Sequence, residues 1–319
     1  MPNPVFSTVV LSGGGTFGIA YVGAVQVLQQ HGLLDWIPAS NRQTTRFHAC
    51  SVGALFALLL YLHVDVCCEK EQRLLRPFMK FFRPSVQTFR PCRVGGVSLC
   101  GTQTANVLRF LDRLIERACG IRRATFAQLH AHNQSVGGLW VYTTSLTRGA
   151  VAMSHVTHPD TRVSHAVFAS MLIPFLFAPI QIGQDYYVDG AIGGNNYPMH
   201  AALQCEHSAS APSCVLGLRF SQQFVLEAEQ PQLSFVQLTR RLISIACEHR
   251  AHAHPPEQEK KNSADAEICI GTAGANNMNF SPSRMEEQTL LDRGSDAASA
   301  WIAGSRFSDL QKNAQPASS

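Results

Sequence analysis

An apolar run, Phe6 to Leu11, breaks at Ser12-Gly13-Gly14-Gly15-Thr16-Phe17-Gly18 and gives way to Ile19 to Gln30, where Val22, Val25 and Leu28 recur at helical spacing. A strand feeding a helix through consecutive glycines is a β-loop-α unit, and it constrains the fold more than any other feature of the chain. Strand-like and helix-like runs go on alternating downstream, which argues for an α/β layer architecture with a mainly parallel sheet. The glycine loop sits at a helix N-terminus, where backbone N–H groups and the positive end of the helix dipole favour a negative charge. Without Cβ atoms, the backbone there can approach a ligand closely.

Glycines alone do not say which ligand. Gly13-x-Gly15-x-x-Gly18 fits a dinucleotide fingerprint, with Asp35 near the expected distance of about 20 residues for a ribose partner. The same loop fits an oxyanion hole. Two later motifs bear on the choice. Ser-x-Gly occurs at Ser12, Ser51 and Ser135, yet Ser51 alone stands between a strand-like stretch, Thr45 to Ala49, and a helix-like one, Ala54 to Leu60. A serine at a sharp strand-to-helix turn is a nucleophile elbow, and small residues two positions either side, here Ala49 and Gly53, relieve its crowding. The competing reading is a serine that caps a core helix.

Asp189-Gly190 is the single Asp-Gly pair in the chain and follows the strand-like Tyr186-Tyr187-Val188. Ala191, Gly193, Gly194, Asn195, Asn196 and Pro198 then make a dense turn signal. An aspartate at a strand end can be held at the mouth of a sheet. A type I′ hairpin turn accounts for Asp-Gly equally well.

The set Gly13 to Gly18, Ser51 with Gly53, and Asp189-Gly190-Ala191 followed by Asn-Asn-Tyr-Pro resembles the patatin-like phospholipase family. Thr125 to Leu129, the strand Leu139 to Thr144, and Val167 to Pro174 extend that likeness, which runs from about Val5 to Gly304. The resemblance implies a three-layer α/β/α fold with a mainly parallel central sheet, and a lipid acyl hydrolase of phospholipase A type. It implies Ser51 as nucleophile and Asp189 as general base. It also implies an oxyanion hole in the loop of Gly13, Gly14, Gly15 and Gly18, with Ala49, Gly53, Gly190 and Ala191 supporting the elbow and the base loop. The chemistry is that of an acyl-enzyme and needs no metal or cofactor. Two positions depart from the family pattern: Phe17 stands where the family usually carries Arg or Lys, and Ala49 where the elbow usually carries glycine. The alternative is a noncatalytic lipid- or nucleotide-binding protein that retains the glycine loop.

Thirteen histidines invite a Ser-His-Asp triad. In the order serine, acid, histidine, the candidates are His200, His207, His249, His252 and His254, none in a stretch with a strand-end signal; His48 reads as a packed or edge residue.

A net charge of +4 gives no general nucleic-acid footprint. Ten cysteines form no Cys-x-x-Cys, and no export signal is evident, so a cytoplasmic protein with reduced thiols is expected. No run reaches the ~20 apolar residues of a membrane span. Ala166 to Ile182 is interrupted by Pro174 and Pro179 and reads as a packed helix end and loop. Lys70 to Arg93 interleaves basic residues with Leu74, Leu75, Phe78, Phe81, Phe82 and Phe89, a pattern suited to peripheral contact with an anionic bilayer or to a solvated helix. The expected organisation is one domain over residues 1–304 and a tail over 305–319.

Overall fold

The computed structural model describes residues 6–34, 45–66, 68, 90–92, 96–98, 104–133, 137–174, 177–207, 215–221, 266–275, 279, 282–304 and 307. Its strands are β1 (Thr8–Leu11), β2 (Arg46–Cys50), β3 (Arg90–Cys92), β4 (Gly96–Ser98), β5 (Gly138–Ser145), β6 (Gly149–Met153), β7 (Ile180–Ile182), β8 (Asp185–Asp189), β9 (Val215–Ser221) and β10 (Ala266–Gly271). The α-helices are α1 (Ile19–Gln30), α2 (Val52–Tyr61), α3 (Thr104–Cys119), α4 (Phe126–His132), α5 (Val163–Ala169), α6 (Met199–His207) and α7 (Arg284–Ala303).

Eight strands form the main sheet in the order β10-β9-β1-β2-β5-β8-β7, with β6 also paired to β5. The four pairings from β10 to β5 are parallel, and those joining β5 to β8, β5 to β6 and β7 to β8 are antiparallel. The mainly parallel α/β sheet expected from the sequence is therefore present, with an antiparallel margin. The chain winds from β1 outward through β2 and β5, then returns to place β9 and β10 on the other side of β1. Loops at the carboxyl ends of strands diverge at such a switch point, and ligands bind in the crevice between them.

Parallel strands are buried on both faces, which is why Val9, Val10 and Leu11 follow one another in β1 and all four of its residues are buried. On β2, Phe47 and Ala49 join the large core, while Cys50 faces a smaller cluster with Tyr142 and Ala191. Helix α2 is apolar all round because it is buried all round. In α3 the buried residues Val107, Leu111, Leu114, Ile115 and Cys119 follow a helical stripe, with Arg113, Glu116 and Arg117 exposed. Helices α4 and α7 start with capping boxes, Thr125 with Gln128 and Ser283 with Glu286, each contributing about 1 kcal/mol.

Helix α7 lies directly on α1. A Cβ at Gly23 would come 2.0 Å from the Leu291 carbonyl oxygen, and one at Gly294 would come 1.9 Å from that of Ala20. The two backbones can be this close because both positions lack a side chain. This contact holds α1, and with it the glycine loop, in place. Thr16 adds a tie by donating from Oγ1 to the Asn279 carbonyl at 2.9 Å.

The apolar stretch Ala166 to Ile182 holds the end of α5, as expected, and also the short strand β7, with Pro174 and Pro179 outside both elements. Lys70 to Phe89 and His249 to Asp265 lie outside the described residues, as does most of the 305–319 tail. Phe307 is described; its ring lies 5.1 Å from that of Trp301, and it is buried. Among the described residues no helix is long and apolar enough to cross a membrane.

Candidate active site

Strand register creates the site. Cys50, the last residue of β2, pairs with Tyr142 on β5. The next β5 residue, Thr143, pairs on the same edge with Asp189, the last residue of β8, because β6 occupies the opposite edge. Because β5 extends beyond the end of β2, the antiparallel β8 can return along it and bring Asp189 level with Ser51. The Ser51 hydroxyl donates to Asp189 Oδ2 at 2.7 Å. Both residues are buried, with 7% and 2% of their surface exposed.

Ser51 sits between β2 and α2 at φ 53°, ψ −129°, a conformation that costs a non-glycine residue roughly 1–3 kcal/mol. The turn can be this sharp because Gly53 follows: a Cβ there would lie 2.6 Å from both the Leu11 and Ser12 carbonyl oxygens. Ala49 is fully buried, pairs with Leu11 and Val141, and places its methyl in the main core, so the elbow accommodates the larger residue. Its strand-to-helix setting distinguishes Ser51 from a serine that merely caps α2, since its side chain makes no capping hydrogen bond.

Asp189 leads into a single turn of 3-10 helix, Gly190–Gly193, and not into a hairpin. Its Oδ1 accepts from the Ala191 N–H at 2.9 Å and from the Cys50 thiol at 3.8 Å. Its carbonyl accepts from Thr144 Oγ1 at 2.8 Å, and that same Oγ1 accepts from the Gly193 N–H at 2.9 Å. A side chain at Gly190 would put its Cβ 2.2 Å from the Tyr142 carbonyl oxygen. Burial raises the Asp189 carboxyl pKa to about 6, even though the hydrogen bonds from Ala191, Ser51 and Cys50 pull it down. A carboxylate with that affinity for a proton is a far better base near neutral pH than an ordinary aspartate.

The glycine loop borders this pair. The Gly13 N–H donates to the Asn196 carbonyl at 2.8 Å, so that donor is already engaged. A Cβ on Gly13 would lie 2.4 Å from Asn196 Oδ1 and 3.0 Å from the Ser51 Cβ, which places the loop directly beside the serine. The N–H groups of Gly14 and Gly15 have no acceptor among the described residues. Gly18 serves packing, since a Cβ there would lie 2.3 Å from Val52 Cγ2. Under the loop, Phe220 fills the space a Gly14 side chain would need, and its ring lies 5.7 Å from Phe17 and 4.7 Å from Tyr21. Phe17 is thus a buried member of an aromatic floor, with no cation at that position. Tyr21 donates to the Ser12 carbonyl at 2.7 Å and fixes the start of the loop.

Histidine takes no part in the Ser51–Asp189 contact, which is direct. The His48 ring is fully buried, stacks on Trp140 at 4.7 Å and shares a 2.9 Å hydrogen bond through Nδ1 with the Tyr142 hydroxyl. The packed role expected for His48 is the one it has. His200 and His207 lie on α6, and His249, His252 and His254 lie outside the described residues. Among the described residues no group of His, Cys, Asp or Glu is arranged to hold a metal ion.

Sequence reasoning missed Ser170, which accepts from the Ser51 N–H at 2.7 Å. It lies in Ala169-Ser170-Met171-Leu172-Ile173-Pro174, part of the stretch that carries the family likeness, but nothing local to it assigns the serine a role. Cys50 and Thr144 were equally unmarked.

The family model for patatin-like phospholipases matches residues 9–203, more than half of the chain, and that span contains the glycine loop, Ser51 and Asp189. The chain belongs to the patatin-like phospholipase family. Triacylglycerol lipase ptl3 of Schizosaccharomyces pombe is 26% identical over 177 residues, 54% of this chain and 33% of the lipase. This patatin-like chain thus spans about a third of that relative's length. The crystal structure of VipD from Legionella pneumophila superimposes with a TM-score of 0.55 at 16% identity, covering 94% of this chain and 67% of VipD, and it supports the patatin-like fold. ExoU of Pseudomonas aeruginosa, in complex with SpcU, gives a TM-score of 0.42 at 15% identity, covering 95% of this chain and 54% of ExoU.

Proposed function

We propose that this protein is a lipid acyl hydrolase of phospholipase A type, working through a Ser51–Asp189 dyad and an acyl-enzyme. The observation that carries the reading is the 2.7 Å hydrogen bond from the elbow serine to a buried carboxylate of raised pKa. In the first step Ser51 Oγ attacks the ester carbonyl carbon while its proton passes to Asp189 Oδ2. Negative charge develops on the carbonyl oxygen, and the N–H groups of Gly14 and Gly15 stabilise it. Such donors contribute a few kcal/mol each, roughly 3–4 in measured cases. Gly13 belongs to this loop as a spacer whose amide anchors it to Asn196, so the proposed donor set is narrower than the whole glycine motif. The intermediate collapses, the leaving alkoxide takes the proton from Asp189, and the acyl group stays on Ser51. Asp189 then takes a proton from water as it attacks the acyl-enzyme and returns it to Ser51 Oγ as the ester bond breaks, and fatty acid leaves.

Phospholipid is the substrate class proposed, and the similarity to a triacylglycerol lipase makes neutral glycerolipid the class to test beside it. Phe17 removes a cation from the loop, which suits esters without an anionic group at that point. Lys70 to Arg93 is assigned peripheral contact with anionic bilayers, on its basic and aromatic pattern alone. Fatty-acid release from phospholipid vesicles and from triacylglycerol emulsions, by wild type, Ser51→Ala and Asp189→Asn, tests the reading. Release by wild type that disappears in both variants supports it. Release that survives Ser51→Ala, or a wild type silent on both substrates and unlabelled by a fluorophosphonate, refutes it and favours a lipid-binding role.

A further inference from the structure

Resting on the dyad reading, we infer that Ser170 and Leu172, at the end of α5, form a clamp that fixes nucleophile and base relative to each other. Ser170 Oγ accepts from the Ser51 N–H at 2.7 Å and donates to the Tyr142 carbonyl at 2.6 Å. Two residues on, the Leu172 carbonyl accepts from the Asp189 N–H at 2.9 Å. One short turn therefore holds the main chain of both dyad residues. The turn is itself braced: Ser170 N–H bonds to the Ala166 carbonyl at 3.0 Å and Leu172 N–H to that of Ala169 at 3.2 Å. Ser170 has no exposed surface, and Leu172 has 1%.

The chemistry needs a hydroxyl at position 170. A serine Oγ has one donor hydrogen and two acceptor lone pairs, so it can accept from one backbone and donate to another at once. Ser51 occupies a backbone conformation it would leave if unrestrained, and its buried N–H would be costly unpaired. Ser170 satisfies that N–H only when Ser51 keeps the sharp turn. Its bond to Tyr142 ties the turn to β5, the strand whose register also carries Asp189. With the nucleophile's own amide engaged here, the charge on a tetrahedral intermediate must be met by other donors. This agrees with placing them at Gly14 and Gly15. Ser170 is a positioning residue and touches no reacting atom.

The test compares wild type, Ser170→Ala, Ser170→Thr and Ser170→Cys for steady-state hydrolysis and for the rate of fluorophosphonate labelling, with Ser51→Ala as control. Misplacing a reacting group by about 1 Å costs roughly 100-fold in rate. Ser170→Ala should therefore lower kcat and the labelling rate about 30- to 100-fold, with KM within about twofold. Threonine keeps the hydroxyl and should restore most of the rate. The pH midpoint should stay at its wild-type value, because no charge is removed. A Ser170→Ala enzyme within about threefold of wild-type kcat overturns the clamp. So does a threonine variant as impaired as alanine while equally stable. If alanine at this position prevents folding, cysteine keeps the volume but weakens both hydrogen bonds, and an undiminished kcat in that variant overturns the clamp as well. A wild type that hydrolyses nothing and does not label at Ser51 instead overturns the dyad reading on which the clamp rests.

Discussion

Asp189→Asn should make the protein more stable and inactive, and the gain should depend on pH. Asp189 is 2% exposed, and its pKa is raised from 3.8 to about 6, with burial as the dominant cause. The folded-state pKa lies above the unfolded one, so the folded protein holds the proton more tightly. Below about pH 4 both states are protonated and the group contributes nothing to the pH dependence. Between about pH 4 and pH 6 the unfolded carboxyl ionises while the folded one keeps its proton, so stability falls across that window, and above it the folded state carries a buried charge. A difference of about two units at 1.36 kcal/mol each amounts to roughly 3 kcal/mol above pH 7. Asparagine has the same shape: its Oδ1 can accept from Ala191 N–H, and its amide can donate to Ser51 Oγ. Weaker neutral hydrogen bonds offset part of the gain, leaving about 1–2 kcal/mol at pH 8. For a chain of this size that is a rise in Tm of roughly 1.5–3 °C. Thermal unfolding of wild type and variant, followed by circular dichroism at pH 8, 6 and 4.5, measures it. Other titrating groups cancel in the difference between the two proteins. A difference in Tm that is the same at pH 8 and pH 4.5, or a variant less stable than wild type at pH 8, would mean that the buried Asp189 charge does not cost the fold this energy.

The same group predicts that kcat/KM rises from acid pH to a plateau with an apparent pKa near 6 on the acid side, measurable with a soluble ester whose ionisation does not change over pH 5 to 8. Gly53→Ala should abolish activity and destabilise the fold by about 1–3 kcal/mol or more, because its Cβ would meet two main-chain carbonyls that cannot swing aside; soluble yield and melting temperature report it. His155, His158 and His165 have pKa values lowered mainly by burial. Their effect on stability opposes that of Asp189: it is fully present above the unfolded value of about 6.5 and is lost as pH falls toward the lower folded values. His155 stacks on His130 at a ring separation of 3.7 Å, so His155→Phe should keep the stack and flatten the fall in Tm between pH 7 and pH 5.

Much of the local architecture was legible in the sequence. The apolar runs Phe6 to Leu11 and Ala54 to Leu60, and the helical spacing within Ile19 to Gln30, point to a strand and two helices, and these lie at Thr8–Leu11, Val52–Tyr61 and Ile19–Gln30. Ser51 stood out as well: a nucleophile elbow is made by adjacent residues, and Gly53 has to be where it is for the turn to close. Family likeness extended this to Asp189.

What remained illegible depends on partners far apart in the chain. Asp189 is level with Ser51 because β8 runs antiparallel to β5 and in one register, and interstrand hydrogen bonds set a register that no local spacing reveals. The engagement of the Gly13 amide by Asn196, which narrows the proposed donors to Gly14 and Gly15, is invisible for the same reason. Nothing in the composition distinguishes Ser170 from its neighbours; its role follows from two main-chain partners at Ser51 and Tyr142. Sequence thus determined the elements and the elbow, through residues that act on their immediate neighbours. Packing between segments sets the separation of Ser51 and Asp189, the burial that raises the Asp189 pKa, and the engagement of the Gly13 amide, so none of these could be read locally.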